Sequence, residues 1–166
     1  MRAGIAFGSN LGDRLLNLRQ ARACVMASPL IAGPIKVSRV YLTSPVDCPE
    51  GAEPFLNAAM EGELTGEPAA LLRELRLLEE GLGRSRRAAK NLPRTIDLDL
   101  LYADDCVMKE EGLILPHPRI SERRFVLAPL ADLRPGLILP GQTLTVSQLL
   151  KKLKGTDTAE PLDATW

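Results

Sequence analysis

The order of elements along the chain predicts an α+β fold. Apolar periodicity changes in the sequence strand, helix, two strands, helix, strand, which is the ferredoxin-like order. The two middle strands follow one another with no helix between them and are expected to pair antiparallel. The chain has 166 residues, 45% hydrophobic and 25% charged, which suits one globular unit. The expectation is therefore a ferredoxin-like antiparallel sheet with helices packed on one face of it.

Each element has a local reason. Residues 2–7 are a short apolar run that stops at Gly8-Ser9-Asn10, a strand and then a turn. From about Asp13 to Ala27, Leu15, Leu18, Val25 and several alanines recur at helical spacing, with Asn10 or Asp13 as the cap. Pro29, Gly33 and Pro34 end that helix. Residues 35–43 are rich in Val, Ile, Tyr and Thr and read as one strand. A loop with Pro45, Pro49, Gly51 and Pro54 leads to a strand over Phe55–Leu64.

Pro68 suits the first turn of a helix, where its missing N–H costs nothing, and Leu71, Leu72, Leu75, Leu78 and Leu82 form one apolar stripe. Residues 83–93 are polar, basic and aperiodic, and are read as a mobile loop. Residues 94–103 alternate: Ile96, Leu98, Leu100 and Tyr102 one way, Thr95, Asp97, Asp99 and Leu101 the other. A short helix over Phe125–Leu133 follows, and Thr145-Val146-Ser147-Gln148 has the form of a capping box opening a last helix. Residues 1–154 are assigned to a single domain, and the polar residues 155–166 to a loose tail.

Composition excludes several classes. Basic and acidic residues balance at 21 each, for a net charge of +0, which argues against nucleic-acid binding through a broad positive field. No apolar run reaches membrane-spanning length, and the N-terminal run is too short for a signal peptide. Cys24, Cys48 and Cys106 form no CxxC pair, so neither a disulfide framework nor a zinc site is expected, and a reducing, cytoplasmic setting is. Glycine-rich nucleotide loops of the G-x-x-x-x-G-K-[ST] and G-x-G-x-x-G kinds are missing.

Asp97-Leu98-Asp99 is the strongest local signal. Residues i and i+2 of a strand share a face at about 6–7 Å, so two carboxylates converge there and need compensation from a cation, arginines or water. Oxygen donors of this kind suit Mg²⁺, which takes the rest of its shell from water and substrate phosphates; two ordinary surface aspartates are the competing reading. Arg84, Arg86, Arg87 and Lys90 lie just before this strand and Arg94 opens it, without an acidic residue between them. Guanidinium groups beside a Mg²⁺ site suit a triphosphate, the arrangement used in phosphoryl transfer. Phe55 and Asn57, on one strand face, offer a stacking ring and a hydrogen-bonding amide to a flat heterocycle, or else a core ring and a surface amide. His117 is the sole histidine, held between two prolines, and by itself reads as a structural hydrogen-bonding group.

These segments together resemble one family. Gly8-Ser9-Asn10-Leu11-Gly12-Asp13, Phe55-Leu56-Asn57-Ala58-Ala59, Gly83-Arg84-Ser85-Arg86, Pro93-Arg94-Thr95-Ile96-Asp97-Leu98-Asp99-Leu100-Leu101, Pro116-His117-Pro118 and Arg123-Arg124-Phe125-Val126-Leu127-Ala128-Pro129-Leu130 stand in the order and spacing of the 6-hydroxymethyl-7,8-dihydropterin pyrophosphokinases. The resemblance implies transfer of pyrophosphate from ATP to the pterin hydroxymethyl group, with release of AMP, in folate biosynthesis. It implies long mobile catalytic loops, two Mg²⁺ ions on Asp97 and Asp99, and Arg84, Arg94 and Asp97 as catalytic residues; no side chain is an obvious general base, and Asp97 is the candidate. ATP would be held by Leu72, Arg84, Arg86, Arg94, Leu100, His117 and Arg123, with the two leucines flanking adenine. Thr43, Val46, Phe55, Asn57, Asp97 and Phe125 would hold the pterin. The expected partners are small molecules, with no nucleic acid and no membrane, and the expected state is a monomer.

The chain departs from the family pattern at Phe55, where Tyr is frequent, at Asn91-Leu92, where many members carry Trp-Gly, and at Gly112 and Ile114. The alternatives are another Mg²⁺-dependent transferase on a similar sheet, or a non-catalytic nucleotide- or RNA-binding ferredoxin-like module.

Overall fold

The structure, a computed structural model, describes residues 1–83 and 93–166. It comprises β1 (Arg2–Ser9), α1 (Arg14–Met26), β2 (Ile31–Val37), β3 (Val40–Thr43), β4 (Phe55–Leu64), α2 (Pro68–Gly81) and β5 (Asp97–Ala103). A small hairpin of β6 (Met108–Glu110) and β7 (Leu113–Leu115) follows, then α3 (Arg124–Leu133), α4 (Val146–Lys152) and β8 (Ala159–Leu162). The main sheet runs β5-β1-β4-β3-β8, with β2 also on β4, and its pairings are antiparallel. This is the predicted ferredoxin-like sheet.

Local chemistry explains the boundaries. The Asp13 carboxylate accepts the Leu16 N–H at 3.0 Å and starts α1, while Asn10, the other candidate cap, is used elsewhere. Pro68 stands in the first turn of α2. The capping box at Thr145 and Gln148 is complete in both directions. Even-numbered residues of β4 (Leu56, Ala58, Met60, Leu64) join Ile5 and Phe7 of β1 and the buried faces of α1 and α2 in one core. A second core lies on the opposite face, where Val126, Leu127 and Leu130 of α3 and Val146 and Leu149 of α4 meet Leu101 and Tyr102.

Four expectations are corrected. Helices cover both faces of the sheet, not one, because the Phe125–Leu133 region is apolar enough to need a partner of its own. The segment expected as one strand over 35–43 is two strands, β2 and β3. Ser38 separates them: its hydroxyl donates to Arg39 O at 2.7 Å and accepts the Ala59 N–H at 2.8 Å, replacing ladder bonds with side-chain bonds.

The alternation of β5 breaks after Leu100. Ile5 pairs with Leu100 but Gly4 with Tyr102, so Leu101 is the extra residue of a bulge. Tyr102 therefore joins Leu101 in the second core, where its hydroxyl donates to the buried Glu61 Oε2 at 2.7 Å. Arg134 donates to the same oxygen at 2.9 Å, tying α3 to the sheet. The ring lies against Gly4, where any Cβ would collide with it.

The tail is not loose. Residues 159–162 form the edge strand on β3, with Val40 opposite Leu162 and Thr43 opposite Ala159. Trp166 is only 3% exposed, its ring edge-on to Phe7 at 5.1 Å and its Nε1–H donating to Ser38 O at 2.8 Å. Arg19 donates to Thr165 O as well, at 2.6 and 3.0 Å. A polar average hid Leu162 and Trp166, the apolar residues that anchor the segment in the core.

Candidate active site

The ends of β1 and β3 and the beginnings of β4 and β5 meet at one end of the sheet, because Gly8 pairs with both Asn57 and Asp97 and Thr43 pairs with Phe55. A cavity of about 850 Å³ opens there. Its floor is the row Asp97, Gly8, Asn57, with Asp99 and Ala6 one step along. A Cβ on Gly8 would stand 2.8 Å from Asn57 Oδ1, so glycine is needed for this close approach and leaves main chain as the floor.

Asp97 and Asp99 both face the cavity, as strand alternation predicts, with side chains 26% and 35% exposed. Their mutual repulsion is compensated by arginines. Arg94 Nη1 lies 2.9 Å from Asp97 Oδ2, and Arg123 Nη1 lies 3.9 Å from Asp99 Oδ2. Arg94 is itself fixed through its backbone: its N–H donates to Asn10 Oδ1 at 2.8 Å, and its carbonyl accepts the Asn10 N–H at 3.2 Å. Asn10, buried at the end of β1, thereby joins the glycine turn to the start of β5.

The donor set fits a hard cation of the Mg²⁺ type. Both groups are carboxylates, and among the described residues no three His, Cys, Asp or Glu side chains form a metal cage. A pair of this kind leaves most of a coordination shell to water and phosphate oxygens, which is how Mg²⁺ is commonly bound.

The wall beyond Asp99 is cationic. The His117 N–H donates to Leu101 O at 2.8 Å, and the ring's Nδ1 accepts the Arg119 N–H at 3.2 Å. Burial, then the charges of Arg123 and Arg119, lower the imidazole pKa below 6.5. The ring is thus neutral at pH 7, with its proton assigned to Nε2, which is left to donate. Arg119 pairs with Asp47 across the cavity at 2.8 Å. Arg123 also lies over the Phe125 ring, 5.4 Å from its centroid.

The aromatic part of the lining suits a flat heterocycle. Phe55, Asn57, Val46, Thr43 and Phe125 all line the cavity, and the Asn57 amide donates to Thr43 Oγ1 at 2.6 Å, which holds its plane. Toward α2 the lining continues through Leu98 to Leu72, Arg76 and Glu79. Leu100 does not belong to it. It shares the strand face, the core cluster and the 3% exposure of Leu98, the one of the two that lines the cavity. Arg84 and Arg86 fall outside the described residues, as does Asn91-Leu92.

Several lining residues were not anticipated: Asp47, Arg76, Glu79, Thr95 and Arg119. Glu79 carried a signal, since it continues the spacing of Leu71 and Leu75 as an acid where the stripe calls for a leucine. Arg119 and Asp47 carried none, because both sit in aperiodic segments.

Fold and cavity together define a class: a small ferredoxin-like α+β protein with a carboxylate pair, a cationic wall and an aromatic slot in one cleft. The chain belongs to the family described as 7,8-dihydro-6-hydroxymethylpterin-pyrophosphokinase (HPPK), whose model it matches over residues 4–135. It is 44% identical over 131 residues to the 2-amino-4-hydroxy-6-hydroxymethyldihydropteridine pyrophosphokinase of Bacillus subtilis, covering 79% of this chain and 77% of that one. With the protein of the same name from Methylorubrum extorquens it is 37% identical over 152 residues, 92% and 93% of the two chains. Longer relatives also match, such as the folic acid synthesis protein fol1 of Pneumocystis carinii, 34% identical, of which the chain spans 20%. A crystal structure of Plasmodium falciparum HPPK-DHPS A437G with pteroate superposes with a TM-score of 0.71 at 14% identity, over 91% of this chain and 40% of that one, a likeness of fold.

Proposed function

We propose that this protein transfers the pyrophosphoryl group of ATP to the hydroxymethyl oxygen of 6-hydroxymethyl-7,8-dihydropterin, the reaction for which its family is named. The observation that carries the reading is that one cleft gathers a carboxylate pair, a cationic wall and an aromatic slot. An alcohol on a flat ring and a polyphosphate would meet there, and positioning with charge stabilisation accounts for most of the rate in such transfers.

Asp97 and Asp99 are the residues that would hold Mg²⁺, with two ions expected from the family. Bound there, the metal would supply positive charge to the phosphates of ATP. Arg94, anchored through Asn10, places a guanidinium at the carboxylate pair, where charge develops on the transferring group. Arg84 and Arg86 are assigned to the same anion by family resemblance. His117, neutral and donating from Nε2, and Arg123 bind phosphate oxygens along the cationic wall. Leu72, on the α2 side of the cavity, would flank the base of ATP. Phe55 and Phe125 stack the pterin, and Asn57, held by Thr43, reads its edge, with Val46 closing that side. No side chain of the lining is an obvious general base; Asp97, on the cavity face, is the candidate for the hydroxyl proton.

The test is product analysis. Incubation with Mg²⁺, ATP and 6-hydroxymethyl-7,8-dihydropterin should yield AMP and the pterin diphosphate in equal amounts. ADP in place of AMP would make the chain a γ-phosphoryl kinase. ATP binding without any turnover would make it a nucleotide-binding module.

A further inference from the structure

Glu79 is a carboxylate that the packing alone does not explain. It stands one turn beyond Leu75 and two beyond Leu71 on the buried stripe of α2 and is 6% exposed, although burying a carboxylate is costly unless a donor meets it. One donor is the backbone of β5: the Leu98 N–H reaches Glu79 Oε1 at 2.8 Å. Among the described residues β5 is an edge strand of the sheet, paired by β1 on one side and by no strand on the other. Glu79 takes the place of that strand at one residue, and that residue lies between Asp97 and Asp99.

We propose that Glu79 is the positioning residue for the Asp97/Asp99 pair. By fixing the Leu98 peptide from outside the sheet, it sets the spacing and aim of the two carboxylates on the cavity side. β1 holds the same three residues from inside, with Gly8, Phe7 and Ala6 opposite Asp97, Leu98 and Asp99. The strand is thus clamped from both edges at the residues that carry the two carboxylates. The inference rests on the reading of Asp97 and Asp99 as the residues that hold the divalent cation.

Two conservative variants separate contact from charge. E79Q keeps an acceptor oxygen at the Leu98 amide and removes the charge; E79D keeps the charge and withdraws it by one methylene. For the full chain, Mn²⁺ binding would be followed by electron paramagnetic resonance with α,β-methylene-ATP present, and Leu98 amide exchange by ¹⁵N NMR. E79D should speed Leu98 exchange and weaken Mn²⁺ binding by about tenfold, while E79Q stays within about threefold of the parent protein on both. The reverse order, with E79Q weak and E79D normal, would overturn the proposal in favour of a purely electrostatic effect. So would faster Leu98 exchange in E79D with Mn²⁺ affinity unchanged. A parent protein that binds no Mn²⁺ in this assay would instead remove the cation reading of Asp97 and Asp99, and the proposal with it.

Discussion

Replacing Trp166 by alanine should destabilise the protein by about 4 kcal/mol, although the residue lies in a segment whose composition is that of a tail. The indole is 3% exposed, packed edge-on to Phe7, with its Nε1–H on Ser38 O at 2.8 Å. Truncating a buried Trp costs roughly 3–5 kcal/mol, and the unpaired Ser38 carbonyl adds about 1 kcal/mol unless water reaches it. Detachment of 159–166 limits the loss, because the chain can peel away β8 rather than keep an empty pocket. In a chain of this size about 4 kcal/mol lowers Tm by roughly 10 °C. The assay is urea denaturation followed by circular dichroism in both proteins. Trp166 is the one tryptophan of the sequence, so its fluorescence in the parent protein reports the anchor directly. The fluorescence and dichroism transitions should coincide. A loss under about 1 kcal/mol, or release of the indole at urea concentrations that leave the helices intact, would refute the reasoning and return the segment to a loose tail.

Other outcomes follow from the cleft. Asp97→Ala and Asp99→Ala should each cut turnover by about a thousandfold while the folded dichroism spectrum survives, since their ion pairs are partly exposed and contribute little to stability; full activity in both would remove the carboxylate pair from the chemistry. Arg94→Ala should lower kcat by about a hundredfold and change the KM for ATP far less, and a rise in KM alone would make Arg94 a ground-state binder. His117 is the sole histidine, so its imidazole resonances can be followed by NMR; its midpoint should lie below 6.5. Because the folded ring binds protons less readily than the unfolded one, its contribution to stability rises with pH from the folded pKa up to 6.5 and is constant above. A midpoint at or above 6.5 would contradict the burial and arginine field that surround the ring.

Where residues repeat with a regular period, the sequence could be read directly. β4 begins and ends where its hydrophobic run does, Pro68 starts α2, and Asp97 and Asp99 share a face as alternation requires. Reading fails where one contact outweighs a pattern. The bulge at Leu101 follows from a tyrosine lying across Gly4 and donating to Glu61, a relation between three strands that periodicity within one strand does not contain. The tail is decided by one indole 128 residues from its acceptor. Leu100 rests on family resemblance alone: it shares the strand face of Leu98, yet of the two only Leu98 lines the cavity. Arg119 and Asp47 meet only because two loops face each other across the cleft, and neither loop has a period to read.

The glycine at the cleft floor bears on inhibition. Most residues that touch an inhibitor can be exchanged by mutation, and binding is lost at small expense to the protein. Gly8 offers no such exchange: the smallest added side chain would stand 2.8 Å from Asn57 Oδ1 and displace the amide that Thr43 holds in place. A compound whose contacts are concentrated on the main chain at Gly8, between Asp97 and Asn57, would rest on a surface that resistance mutations can alter only by damaging the slot the protein itself uses.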